Sequence, residues 1–373
     1  MHQTIHYHWV STSQQLDEVC QKAATKKAIA LDTEFIRIRS FYPQLGLIQL
    51  FDGEQVSLID PSSIEDFSSF IALLANPDVI KVLHACSEDL EVFEYRFKQL
   101  PTPLVDTQVV AGFLNRGISI GFAKLVEHYL HIELDKGASR TDWLARPLSE
   151  IQCQYAAADV FYLLPVYHKM QKELSENRWQ KAVEEECQKF LNRKLKDENP
   201  DQMYKQIANA WRLEPSQLAV LQLLTKWRWE EAQKRDLALN FVIKEQSLYE
   251  IARQLPKHTS QLLEFMHPNE VRIHGKKILR LVEQGMAVSP EHYPEKVVRL
   301  VDEKGYKYAL KAMQQKMQEI QPLDLAPELL ASKRQLNQLF KWHLKGKPTD
   351  KMPELLTGWR TEYGKRIAQV LDH

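Results

Sequence analysis

Residues 28–50 of the chain carry the sequence AIALDTEFIRIRSFYPQLGLIQL. The apolar run at 28–31 predicts a buried strand, and the run at 45–50 predicts the strand after it. Asp32 and Glu34 follow the first run, and in extended backbone residues two apart point to one face, about 6.5–7 Å from each other. Two carboxylates at the end of a buried strand need a cation nearby. A salt-bridged strand end has the same pattern, so other acidic residues must decide between the two interpretations.

Outward from this stretch, short apolar runs alternate with helical patterns. A meander of strands followed by alternating helices predicts a mixed α/β sheet. An Asp52-Gly53 turn favours a hairpin between the second and third strands. The remaining predicted elements are strands at 56–59, 79–83 and 104–105, a helix over 62–75, helices from 107 to 195, and helices with charged faces after 201.

Polar, proline-containing segments at 196–201 and 287–294 predict two domain boundaries. Beyond the first boundary there is a degenerate repeat, in which Gly275-Lys-Lys-Ile278 recurs as Gly364-Lys-Arg-Ile367. The repeat predicts two helical modules in tandem, although chance similarity between helical segments would look the same. We therefore predict an α/β domain at 1–200, followed by two small all-α modules at 207–288 and 295–373.

Composition places the chain among globular proteins, with 373 residues, 44% hydrophobic and 26% charged. The four Cys form no C-x-x-C, which disfavours a disulfide framework or a zinc knuckle. Since neither a signal peptide nor an apolar run of about 20 residues is evident, we predict that the protein lies in the reducing cytoplasm and is not associated with a membrane.

Residues 1–200 carry 21 Lys and Arg against 28 Asp and Glu, whereas residues 201–373 carry 28 Lys and Arg against 21 Asp and Glu. This split suggests an acidic half that holds cations and a basic half that holds polyanions, unless it is ordinary variation.

Two further places along the chain carry acidic residues at informative positions. Asp89 lies in the first turn of a predicted helix, where Ser87 is the expected N-cap. Tyr155 and Asp159 are four apart on a helix and so share a face, with alanines between them that permit close packing. Taken alone, Asp89 complements a helix dipole, and Tyr155 with Asp159 is a buried phenol beside a solvated acid.

Taken together, these positions supply four carboxylates and one phenol. Four carboxylates suit two hard divalent cations, which take oxygen ligands and keep positions open for phosphate. Two such ions can stabilise both the attacking and the leaving oxygen of a phosphodiester displacement. A phenol, with an ordinary pKa near 10, is a poor base but can orient water.

This quintet resembles the three exonuclease motifs of the DEDD 3′–5′ exonucleases, in the branch with Tyr in the third motif. The strings LDTEFIRIRSFYPQLGLIQL at 31–50 and HACSEDLEVF at 84–93 narrow the resemblance to bacterial ribonuclease D. The two helical modules resemble the helicase-and-RNase-D C-terminal (HRDC) modules, the second being divergent. The resemblance covers essentially the whole chain.

The resemblance implies a ribonuclease H-like exonuclease domain and two divalent cations, Mg²⁺ or Mn²⁺. It implies that Asp32, Glu34 and Asp159 hold the ion that activates water, that Asp32 bridges to the second ion, and that Asp89 supports that second ion. Tyr155 would position the attacking water. The expected activity is release of 5′-mononucleotides from the 3′ ends of tRNA precursors and other structured RNAs, with no obligate protein partner.

Other residues are candidates for RNA contact. Arg37, Arg39, Phe41 and Tyr42 could hold the terminal nucleotide by phosphate contact and stacking, or could equally cover the sheet edge. Lys276 and Lys277 could contact phosphates, or form a solvated face. A DNA exonuclease and a binding scaffold with a vestigial acidic cluster remain alternatives, although the intact quintet argues against the scaffold.

Overall fold

The computed structural model describes residues 4–134, 141–194 and 199–372, which form two compact units. The first unit comprises Met1–Ile36, Pro43–Lys196 and Lys304–His373, and the second comprises Arg37–Tyr42 and Asp197–Glu303. Residues 196–198 of the predicted boundary lie outside the described residues. The division at 1–200, 207–288 and 295–373 stays a prediction.

A mixed sheet forms the centre of the first unit. Its strands are β1 (Tyr7–Val10), β2 (Ala28–Ile36), β3 (Gln44–Phe51), β4 (Val56–Ile59), β5 (Ile80–Leu83) and β6 (Leu104–Asp106). Their order is β1-β4-β3-β2-β5-β6, with β2-β3-β4 as the antiparallel meander and the other neighbours parallel. The predicted mixed α/β class is confirmed.

Strand β2 differs from its prediction in one way that matters for the site. The apolar pattern ends at Leu31, but the backbone continues to pair with β3 as far as Ile36, across a bulge between Glu34 and Phe35. Asp32 and Glu34 therefore lie inside the strand rather than after it. Hydrogen bonding to β3 stabilises this extension. The hydrophobic pattern of the sequence does not predict such pairing.

Helices cover both faces of the sheet. The helices of this part of the chain are α1 (Ser13–Ala23), α2 (Ser68–Ala75), α3 (Ser87–Phe97), α4 (Thr107–Phe113), α5 (Phe122–Leu130), α6 (Glu150–Phe161), α7 (Leu163–Ser175) and α8 (Gln180–Lys194). Apolar side chains of α1, α2 and α3 pack with Leu31 and Leu50 on one face, and α6 and α7 pack on the other. Helix α2 begins later than the predicted residue 62, because Asp66 accepts hydrogen bonds from the backbone and hydroxyl of Ser68 in a local turn.

The second unit is helical, as predicted for the region after 201. It contains α9 (Pro215–Arg235), α10 (Leu239–Val242), α11 (Glu245–Gln254), α12 (Thr259–Leu262) and α13 (Pro268–Met286). Trp227 of α9 belongs to its core. Residues 37–42 belong to this unit too, with the Ala238 N–H donating to the Arg39 carbonyl at 2.7 Å.

The C-terminal helices complete the first unit. They are α14 (Tyr306–Ile320), α15 (Pro327–Leu330), α16 (Lys333–Leu344) and α17 (Thr361–Ala368). Just before α17, the buried Arg360 forms an ion pair with Glu186 of α8 and donates to the carbonyls of Leu329 and Leu330. The neighbouring Trp359 ring lies 5.3 Å from that of Phe113 and 5.6 Å from that of Trp179, between ring centroids. The C-terminal segment therefore packs on the helices that follow the sheet.

Among the described residues, none of the helices has the combination of length and apolar sequence that crossing a bilayer requires.

Replacing Arg360 with Ala should lower the free energy of unfolding by about 3 kcal/mol, because it leaves the half-buried Glu186 carboxylate without its main partner. Lys189, which also pairs with Glu186, keeps the loss at the lower end of the usual range. Urea unfolding measures the change, and Arg178→Ala is the matched control. The Arg178–Asp324 pair is exposed, so its loss should cost under about 1 kcal/mol. Equal effects of the two substitutions would contradict this account of the contact.

Candidate active site

The two carboxylates of the D-x-E sequence project from the middle of the sheet. In the register of β2 with β3, Asp32 lies opposite Gln49 and Glu34 lies opposite Leu47. Strand alternation puts both carboxylates on the face that α6 and α7 cover, while Leu31 and Thr33 point to the other face.

Helix α6 brings the third carboxylate to the same place. Ser149 caps its start by accepting from the Gln152 N–H, and the Gln152 side chain completes a capping box. One turn separates Tyr155 from Asp159, and the fully buried Ala156 and Ala157 let the helix pack closely on β2, β3 and β4. Asp32, Glu34 and Asp159 each offer a ligand atom, and these atoms lie within 4.8 Å of one another. The spacing suits a shared cation.

Asp89 lies on α3, the helix that follows β5. The helix begins at Ser87 with Cys86 as its N-cap, one residue earlier than predicted, and Asp89 lies in its first turn as expected. Its carboxylate accepts a hydrogen bond from the Thr33 hydroxyl. Asp89 is buried, the Asp32 charge raises its pKa, and its own charge raises the pKa of Asp159, so it belongs to the same electrostatic cluster.

The cluster strongly disfavours its own ionisation. Burial raises the pKa of Asp32 and Asp89 well above the ordinary value, and the charges of Asp159 and Asp32, respectively, raise each further. Burial and the same neighbours also raise the pKa of Glu34. Burial raises the pKa of Asp159 to about 7, although a hydrogen bond from Tyr155 opposes the shift. Without a cation these groups retain protons wholly or in part near neutral pH, because burial and like charges both disfavour the ionised form.

Tyr155 lies at the rim of this cluster. Burial raises the pKa of its phenol, and the charges of Asp159, Glu34 and Asp32 raise it further. The phenol therefore stays protonated at physiological pH. It can donate a hydrogen bond or orient a water molecule, but it is not a base.

The segment after β2 is organised by the second unit. The Phe41 ring packs edge-on against Trp229, 4.8 Å between centroids, and the Tyr42 N–H donates to Asp236 at 3.0 Å. Arg37 and Arg39 are exposed, with Arg39 stacked over Phe241. Lys276 and Lys277 are exposed on α13. The structure thus gives Phe41 a packing role, while RNA contacts by any of these residues stay predictions.

Two buried residues near the acidic cluster, one Gln and one Trp, were not predicted from the sequence. Gln49, opposite Asp32, is fully buried and its amide has no hydrogen-bond partner among the described residues. Trp143 is buried beside Tyr155. A Gln inside the apolar run LGLIQL is a signal that could have identified the first, whereas the contact of Trp143 depends on tertiary structure.

Comparison with known proteins shows to which family the chain belongs. Residues 7–175 match a family described as 3′–5′ exonuclease, residues 217–282 the HRDC domain, and residues 304–366 the ribonuclease D C-terminal HRDC domain. The chain is 48% identical to ribonuclease D of Haemophilus influenzae over 98% of its own length and 93% of that protein. It is 46% identical to ribonuclease D of Escherichia coli, covering 98% of both chains. The chain belongs to the ribonuclease D family.

Solved structures agree with this assignment. The crystal structure of Escherichia coli RNase D, described as an exoribonuclease involved in structured RNA processing, superposes with a TM-score of 0.95 at 45% identity over 99% of both chains. The catalytic core of RRP6 from Trypanosoma brucei shares the fold, with a TM-score of 0.61 at 24% identity, covering 76% of this chain and 81% of that one. As a member of the ribonuclease D family, the protein is a 3′–5′ exonuclease of the DEDD superfamily and a hydrolase.

Binding of Mg²⁺ or Mn²⁺ should release protons and should tighten as pH rises. A carboxyl with a raised pKa is protonated below that pKa, so the cation must displace the proton, and this competition weakens from about pH 7 upward as Asp159 ionises. Calorimetry in two buffers with different ionisation enthalpies measures the released protons. Asp32→Asn should abolish most of the binding, and Asp78→Asn, at an exposed position, should leave it unchanged. Equal affinity at pH 6 and pH 9, with heats independent of buffer, would contradict the raised pKa values.

Proposed function

We propose that this exoribonuclease trims the 3′ ends of tRNA precursors and other structured RNAs, using Asp32, Glu34, Asp89 and Asp159 as cation ligands and Tyr155 as the residue that orients water. The observation that carries the proposal is the convergence of the Asp32, Glu34 and Asp159 ligand atoms within 4.8 Å. We propose Mg²⁺ or Mn²⁺ as the cations, two per active site.

The residues present fit such ions. The donor set consists of carboxylate oxygens, the ligands that hard divalent cations prefer. Burial and mutual repulsion make these carboxylates unfavourable as bare charges, so a bound cation stabilises them. When bound, the ions activate water and offset charge on the scissile phosphate.

Each protein group then has a defined task. Asp32, Glu34 and Asp159 lie on β2 and α6, two regular elements that fix their separation. Thr33 donates to Asp89 and so fixes the position of its carboxylate. Tyr155, held protonated, positions the attacking water by a hydrogen bond. Attack on the last phosphodiester breaks the P–O3′ bond, which leaves a 3′-hydroxyl on the shortened RNA and a phosphate on the released 5′-mononucleotide.

The second unit is the proposed RNA-binding part of the chain. Arg272, Lys276 and Arg280 recur every fourth residue on α13 and are all exposed, with Lys277 beside them. A row of cations on one helix face suits a phosphate backbone, and such contacts make affinity depend on salt. Exposed Arg37 and Arg39 add to the basic surface of the same unit. We propose the bacterial cytoplasm as the location, in keeping with a substrate of cellular RNA.

Digestion of matched RNA and DNA strands, each with a 3′ label, tests the proposal. We expect wild-type protein with Mg²⁺ or Mn²⁺ to release labelled 5′-mononucleotides from RNA from the first time point onward, and chelation to stop it. Asp32→Asn and Asp159→Asn should each retain under a few per cent of the rate with unchanged folding, because each removes charge from the cation site and not from the core. Asp78→Asn is the control for removal of an acidic residue.

Three outcomes would overturn parts of this proposal. Substantial activity of either Asn variant at saturating Mg²⁺ would exclude the assigned ligands. Faster digestion of the DNA strand would replace RNA as the substrate. Internal fragments as the first products would exclude trimming from the 3′ end.

A further inference from the structure

Trp143 lies against the phenol that the proposed function uses. Its side chain is only 2% exposed, and its ring centroid is 6.1 Å from that of Tyr155, with the two planes inclined by 39°. The carboxylates of Asp159, Glu34 and Asp32 are also close to this phenol, because their charges raise its pKa. The Tyr155 side chain therefore has both an acidic cluster and an indole as neighbours.

The backbone of Trp143 is fixed by a single arginine. Arg146 donates to the Trp143 carbonyl at 2.9 Å and to the Gly46 carbonyl of β3 at 2.6 Å. The same guanidinium makes two hydrogen bonds to the buried Asp60 carboxylate, at 2.9 and 2.7 Å. A bidentate Arg–carboxylate pair has a fixed geometry, so Arg146 ties Trp143 to the sheet in one orientation.

Strand β3 leaves space for this contact because it has a glycine there. A Cβ added to Gly46 would lie 2.5 Å from the Trp143 carbonyl oxygen and 2.9 Å from its carbonyl carbon. Any side chain at this position would therefore displace the Trp143 backbone. Gly46 lies between Leu45 and Leu47, which pair with Phe35 and Glu34 at the bulge of β2. Trp143 therefore contacts β3, the strand that pairs with β2, and β2 carries Asp32 and Glu34.

The other end of the segment is tied to α6. The Gln152 amide donates to the Thr141 hydroxyl and to the Asp142 carbonyl, both at 3.1 Å. Gln152 also forms the capping box that starts the helix carrying Tyr155. Residues 141–149 therefore link β3 to α6 through hydrogen bonds on both sides of Trp143.

We propose that Trp143 is a positioning residue for Tyr155, and that Arg146 and Gly46 set the position of Trp143. The proposal rests on the proposed role of Tyr155. Orientation of a reacting group is worth a large factor in rate, and a displacement of about 1 Å can cost about 100-fold. An indole that packs on one side of the phenol limits its rotation without touching the substrate.

A double-mutant cycle between positions 143 and 155 tests this inference. Single-turnover rates on a 3′-labelled RNA at saturating Mg²⁺ are compared for wild type, Trp143→Leu, Tyr155→Phe and the double variant. We expect Tyr155→Phe and Trp143→Leu each to slow the reaction, by about 100-fold and at least about 10-fold, with KM changed by less than about 2-fold. In the Tyr155→Phe background, Trp143→Leu should slow it by less than about 2-fold further, because the group that it positions is already gone.

Matched variants separate positioning from general stability. Trp179→Leu removes another buried indole of the same unit, which packs on Phe113 and Trp359, and should change the rate by the same factor in both backgrounds. Trp143→Phe, which keeps an aromatic ring, should recover most of the rate. If Trp143→Leu does not fold, Gly46→Ala displaces the Trp143 backbone without deleting the ring and should show the same dependence on Tyr155.

The outcomes distinguish this inference from the function on which it rests. Equal slowing by Trp143→Leu, or by Gly46→Ala where that replaces it, in both backgrounds would overturn the positioning role while leaving Tyr155 in the active site. A silent Tyr155→Phe would remove Tyr155 from the reaction and overturn the inference with it, while an inactive Asp32→Asn would still support the cation site.

Discussion

The mutual repulsion of carboxylates withdrawn from water is the constraint on which the architecture around the site depends. Asp32, Glu34 and Asp159 are half-buried and Asp89 is buried, and burial raises the pKa of each. Such a cluster needs support from the rest of the fold, because a carboxylate withdrawn from water loses hydration and must bind a proton or a cation. The central position of β2 in the sheet, with β3 and β5 on its two sides, provides this support.

Helix α6 supplies the part of the acidic cluster that does not come from β2. Its alanines allow close approach to the sheet, and its capping box fixes where the first turn begins. The helix thereby places Asp159 against Asp32 and Glu34. Tyr155, one turn earlier, then lies near this acidic group and near Trp143. The site is stabilised by a strand and a helix, β2 and α6, which have the backbone hydrogen bonds of regular secondary structure. The unfavourable charges are on their side chains.

Local periodicity was sufficient for much of this arrangement. The two-residue spacing of Asp32 and Glu34 and the four-residue spacing of Tyr155 and Asp159 each predict a shared face, and the structure has both. What periodicity does not contain is pairing over long sequence distances. The extension of β2 to Ile36 depends on hydrogen bonds to β3, and Phe41 packs with Trp229, which lies far away in sequence. Trp143 lies beside Tyr155 in a segment whose Arg146 binds Asp60 and the Gly46 carbonyl, both distant in sequence.

The two helical modules show how a repeat diverges when one copy acquires a packing partner. Gly275 in α13 and Gly364 in α17 correspond in the sequence repeat, and both are buried. Four residues earlier the first module has Val271, an ordinary core residue, whereas the second has Arg360, which is paired with Glu186. A buried guanidinium suits a surface that meets the Glu186 carboxylate, whereas Val271 suits a core of apolar side chains.

We propose that Asp32, Glu34 and Asp159 together form a divalent cation site at which RNA is cleaved. Anomalous scattering from Mn²⁺, measured on crystals soaked in MnCl₂ with a short, non-hydrolysable RNA, tests this proposal. We expect an anomalous peak at metal–oxygen coordination distance from carboxylate oxygens of all three residues, with the RNA 3′ end beside it. Anomalous peaks only elsewhere on the protein, with the RNA 3′ end bound away from these residues, would contradict it.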